Sequence, residues 1–140
     1  MMARILVVED NSESLSALVK LLEINEFYVK GVDGYQSALE AAQQEHFDLL
    51  LIDIGLWDGD GCDLFGDLKR KHHLDGIAVT GYGQPDDVQR CLDAGFKSHI
   101  LKPISLPKLL ESIADVLNER TRRVDRESTM QVAASESFPA

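Results

Sequence analysis

Apolar residues in this chain gather into five short runs, at residues 4–8, 27–32, 49–53, 77–80 and 98–101, and the stretches between them repeat their apolar positions at helical spacing. A run apolar at every position, such as Leu49-Leu50-Leu51-Ile52, predicts a strand covered on both faces. Five strands alternating with five helices predict an α/β fold with a parallel sheet between helical layers. The connecting segments exceed the roughly dozen residues a right-handed helical crossover needs.

Local signals bound several helices. Leu15, Leu18, Val19 and Leu22 line one face of the first helix, with Asn11 or Ser12 placed to cap its start. Pro85, followed by Asp86 and Asp87, predicts the first turn of the fourth helix, and Gly95 its end. Leu106, Leu109, Leu110, Ile113, Val116 and Leu117 form the stripe of the last helix. From Thr121 large apolar residues become sparse, which predicts one domain over residues 1–120 and a flexible tail over 121–140.

Composition narrows the class. A chain of 140 residues, 44% hydrophobic, can build one core and not two. Residues 119–140 hold four Arg against four acids, so the formal charge of −10 lies in residues 1–118. That argues against a nucleic-acid surface there. No apolar run approaches the ~20 residues of a membrane span, and Met1-Met2-Ala3-Arg4 leads straight into a strand without a signal-peptide pattern. The expectation is a cytoplasmic protein without membrane insertion. Cys62 and Cys91 read as two reduced thiols, and His46, His72 and His73 as solvated histidines without metal-ligand spacing.

The chemistry lies where the apolar runs stop. Glu9 and Asp10 follow the first run, Asp53 ends the third, Thr80 the fourth, and Lys102 follows the fifth. In a parallel sheet these positions meet at one edge, the edge where open α/β sheets bind ligands. Crowded carboxylates repel one another, and either a raised pKa or a hard cation with oxygen ligands relieves this; Mg2+ is the expected ion. The hydroxyl and the ammonium suit the oxygens of a phosphoryl group. The edge reads as a magnesium-assisted phosphoryl site.

Glu9-Asp10, Asp53 with Gly61 eight residues on, Thr80-Gly81 and Lys102-Pro103, in that order, resemble the receiver domain of two-component response regulators over residues 3 to 118. The resemblance implies a flavodoxin-like doubly wound (βα)5 three-layer sandwich with sheet order 2-1-3-4-5. It implies Asp53 as phosphoacceptor, with Asp10 on Mg2+ directly, Glu9 mainly through water, and Asp53 and the main-chain carbonyl of Gly55 completing the protein's ligands. Thr80, beside Gly81, would hold a phosphoryl oxygen and act as the switch, Lys102 would neutralise the phosphoryl group, and the bond before Pro103 would be cis. The implied partner is a sensor histidine kinase or a histidine phosphotransfer domain, and a homodimer would use helix 4, strand 5 and helix 5. Such a module promotes only its own phosphorylation and dephosphorylation. The stretches Asp53-Ile54-Gly55-Leu56, Thr80-Gly81-Tyr82-Gly83 and His99-Ile100-Leu101-Lys102-Pro103 look most like receivers attached to hybrid sensor kinases.

Three positions depart from the family pattern: Trp57 stands where proline is usual, His99 where a Tyr or Phe is common, and Gly55 leaves the position two after Asp53 without a side chain. Gly55 also weighs against the rival reading, a magnesium-dependent phosphatase of related fold, which needs an acid there for proton transfer. A degenerate receiver serving only for docking is the third reading. The presence of Glu9, Asp10, Asp53, Thr80 and Lys102 weighs against it.

Overall fold

The computed structural model describes the backbone of residues 2–81 and 85–136 and the side chains of residues 2–81 and 88–122. The elements run β1 (Arg4–Val8), α1 (Ser12–Ile24), β2 (Tyr28–Val32), α2 (Tyr35–Gln44), β3 (Leu49–Asp53), β4 (Gly55–Leu56), β5 (Gly59–Asp60), α3 (Gly61–His72), β6 (Asp75–Thr80), α4 (Pro85–Ala94), β7 (Ser98–Leu101) and α5 (Leu106–Glu136). Five strands pair in the order β2-β1-β3-β6-β7. All four pairings are parallel. This is the predicted 2-1-3-4-5 order once the antiparallel ribbon β4–β5 is set apart, and the fold is the expected flavodoxin-like α/β sandwich.

Alternation within each strand explains the two cores. Leu6, Val8, Leu50, Ile52 and Ala78 pack with Ala38 and Ala41 of α2, Leu64, Phe65 and Leu68 of α3, and Cys91 of α4. Their strand neighbours Ile5, Val7, Leu49, Leu51, Ile77 and Val79 pack with Leu18 and Leu22 of α1 and Leu109, Ile113 and Val116 of α5. Period-2 geometry sends successive side chains to opposite faces, so a sheet covered twice needs strands that are apolar throughout.

Capping sets the helix starts. Asn11, the first of the two predicted candidates, caps α1 by accepting the Ser14 N–H at 2.9 Å. Asp60 does the same for α3, accepting from Cys62 N at 2.7 Å. At α2 the N-cap is Gly34, which has no side chain to offer. Asp58, from the β4–β5 turn, takes its place by accepting from Tyr35 N at 2.7 Å and Gln36 N at 3.4 Å.

Beyond residue 120, where large apolar residues become sparse and interleaved Arg and acids suit a solvated helix extension, the backbone is helical to Glu136. Residues 108–138 contain neither Gly nor Pro, and Arg, Glu, Ala, Gln and Met are good helix formers. Tyr82 and Gly83, and the side chains of Asp86, Asp87, Arg123 and Arg126, lie outside the described residues. No described helix is long and apolar enough to cross a membrane.

Candidate functional site

Register brings the polar strand ends together. Val8 pairs with Ile52, Asp53 with Val79 and Thr80 with Leu101. Glu9 and Asp10 therefore leave β1 beside Asp53 at the end of β3, at the point where the chain winds from one side of the sheet to the other. Lys102 N–H donates to the Thr80 carbonyl at 2.8 Å, extending the β6–β7 ladder to the lysine.

The side chains converge on one ammonium. Lys102 Nζ stands 2.9 Å from Glu9 Oε2 and 2.9 Å from Asp53 Oδ2. The second oxygen of each carboxylate is held by a backbone amide, Asn11 N on Glu9 Oε1 at 3.1 Å and Gly55 N on Asp53 Oδ1 at 2.9 Å. Glu9 and Asp53 are buried, and Asp10 is half-buried at the rim.

Burial and charge pull these groups in different directions. Burial, then the hydrogen bond it shares with Asp53, holds the Glu9 carboxyl above its ordinary 4.5. Burial also pushes Asp53 upward, but the Lys102 ammonium and the Gly55 N–H outweigh it, and the net shift is downward. Burial opposes the charge of Lys102, and the Asp53 and Glu9 carboxylates overcome that and raise it.

Oxygens of Glu9, Asp10 and Asp53 lie within 4.8 Å of one another. Three anionic oxygen donors around one opening are a set for a hard cation, and Mg2+ fits them better than a metal preferring nitrogen or sulfur.

The remaining predicted residues occupy the same edge. Thr80 is wholly buried at the end of β6. Gly55 and Gly81 are exposed, and His99 is half-buried in β7 beside Ala78. The Lys102–Pro103 bond is cis. A Cβ on Gly55 would stand 3.7 Å from Asp53 Oδ1, so a side chain there would cover that side of the carboxylate. Gly61 is required by space: a Cβ on it would meet Ile54 Cα at 2.5 Å and the Asp53 carbonyl oxygen at 2.6 Å. Sequence reasoning noticed its spacing from Asp53. What it missed is that β4–β5 is an ordered ribbon which leaves Asp53 and folds back onto it, the Gly61 N–H donating to the Ile54 carbonyl at 3.0 Å.

Comparison with known proteins agrees with this architecture. Residues 5–114 match the model of the response regulator receiver domain. The polar-differentiation response regulator DivK of Brucella ovis is 30% identical over 118 residues, covering 82% of this chain and 96% of DivK. The signal transduction histidine-protein kinase BarA of Escherichia coli is 33% identical over 108 residues, which are 75% of this chain and 12% of BarA. Among solved structures, the CheY-like receiver domain protein of Methanospirillum hungatei JF-1 superposes with a TM-score of 0.83 at 30% identity, covering 88% of this chain and 99% of its own. The chain belongs to the response regulator receiver domain family. It is a receiver domain of the two-component type, with relatives that include a response regulator and a histidine-protein kinase.

Proposed function

We propose that Asp53 accepts a phosphoryl group from a phosphohistidine on a sensor kinase or phosphotransfer domain, and that this shifts the conformation of residues 1–120, which act as the receiver unit. The observation that carries the proposal is the pairing of Asp53 with Lys102 inside a cluster of two further acids. Its carboxylate is held ionised below its ordinary range, as a nucleophile must be. Gly55 N–H and Lys102 Nζ fix its orientation through different oxygens. On attack, a carboxylate oxygen of Asp53 forms a bond to phosphorus, the bond from phosphorus to the donor imidazole nitrogen breaks, and the imidazole leaves with that electron pair.

Glu9, Asp10, Asp53 and the Gly55 carbonyl are the groups proposed to hold Mg2+. When bound, the ion would neutralise charge on the phosphoryl oxygens. Lys102 supplies a positive charge already in place, and Thr80, buried at the end of β6, with neighbouring Gly81 is the group proposed to read a phosphoryl oxygen. His99 and Pro103 flank Lys102 on the surface formed by α4, β7 and α5. That surface is the proposed route of output and the proposed homodimer face.

The test is intact mass after incubation with acetyl phosphate, with and without Mg2+, for the wild type and Asp53→Asn. The wild type is expected to be modified only with Mg2+, and the variant not at all. Equal labelling of both proteins overturns the assignment.

A further inference from the structure

Trp57, the sole tryptophan, is 74% exposed. It sits at the turn of a braced ribbon: Leu56 before it is buried, Asp58 after it is bonded to the start of α2, and Asp60 pairs with Arg90 of α4. A Cβ on Gly59 would meet the Tyr35 ring at 2.6 Å, so the ribbon lies flat against that ring. Tyr35 in turn is hydrogen-bonded to Asp67 of α3. A large indole is thus held outward by contacts to three helices, on a loop that begins and ends at Asp53.

We propose that Trp57 anchors the protein phosphodonor, inserting into an apolar slot on a cationic partner surface beside the donated phosphohistidine. This rests on the reading of Asp53 as phosphoacceptor. Large aromatics that stay exposed on a rigid support are the usual anchors of protein interfaces. Residues 1–118 carry the whole formal charge of −10, so the fitting partner is basic. Nucleic acid or an anionic lipid surface would bring negative charge to this edge, and both are disfavoured.

The sensor kinases and phosphotransfer proteins of the source genome are purified, phosphorylated with labelled ATP, and tested as donors to the full chain. The donor that transfers fastest to wild type is compared with Trp57→Ala and Trp57→Phe, with phosphoramidate as a small donor. Trp57→Ala is expected to lower kcat/KM from the protein donor by about 30-fold, Trp57→Phe by less, and neither to change transfer from phosphoramidate. Transfer from the protein donor should also slow as salt is raised. Wild-type transfer rates in Trp57→Ala, or equal losses from both kinds of donor, overturn the anchor. Wild type labelled by neither donor overturns the acceptor assignment itself.

Discussion

Lys102 Nζ stands 2.9 Å from Asp53 Oδ2, a contact between residues 49 positions apart. The same nitrogen holds Glu9 Oε2 at 2.9 Å, 93 positions away. One cation therefore keeps two buried carboxylates from facing each other unscreened.

Replacing Lys102 with Met should expose that repulsion. The depressed Asp53 contributes stability above its ordinary 3.8 that is lost as pH falls through its folded value. The raised Lys102 contributes stability below its ordinary 10.5 that is lost as pH rises through its folded value. In metal-free buffer at pH 7, Lys102→Met is expected to be less stable by about 1–2 kcal/mol, its part-exposed ammonium being partly screened. The deficit should shrink as pH falls, first as Glu9 protonates, its carboxyl being held above 4.5, and then as Asp53 protonates below 3.8. Urea unfolding across pH measures it, and a deficit independent of pH refutes the electrostatic account.

Gly61→Ala should disturb the acceptor through the backbone. The added Cβ meets main-chain atoms of Asp53 and Ile54 at 2.5–2.6 Å, which cannot rotate away as a side chain could. The expected cost is about 1–3 kcal/mol, together with slower labelling of Asp53 by acetyl phosphate. Wild-type values for both would show that the ribbon can move aside.

Asp58→Ala should unfasten the ribbon from α2. Loss of a helix cap of this kind costs about 1 kcal/mol. Amide exchange at Tyr35 and Gln36, the two donors to Asp58, should quicken while α5 is unaffected. Unchanged exchange at both amides would mean that the cap does not hold in solution.

The Cys62 thiol is pushed up to about 12, by burial first and then by Cys91 and Asp60. Only the thiolate attacks alkylating agents, so the native protein at pH 8 should carry about 1 reactive thiolate in 10,000 at this site. Iodoacetamide labelling should be far slower than for free cysteine and should rise about tenfold per pH unit. Mass spectrometry of the Cys62 peptide follows it; labelling as fast as in the urea-unfolded chain would contradict the shift.

How much of this was legible beforehand depends on how local each cause is. Leu49-Leu50-Leu51-Ile52 announces a doubly covered strand because burial on both faces removes the need for polar alternation, and Asn11 announces the start of α1 because its cap lies three residues away. The sequence alone therefore determined the parallel sheet, the strand ends carrying Glu9, Asp10, Asp53, Thr80 and Lys102, and the family. Tertiary structure decided what those residues touch. Asp58 caps a helix 22 and 23 residues earlier in the chain, Lys102 divides its charge between two carboxylates, and Gly61 is glycine because the ribbon returns onto Asp53. Each is a contact between segments distant in the chain, and no local spacing encodes it. The helix through residues 121–136 is the opposite case. There the cause is local: propensity over a stretch free of Gly and Pro carries the helix on past the end of the apolar stripe.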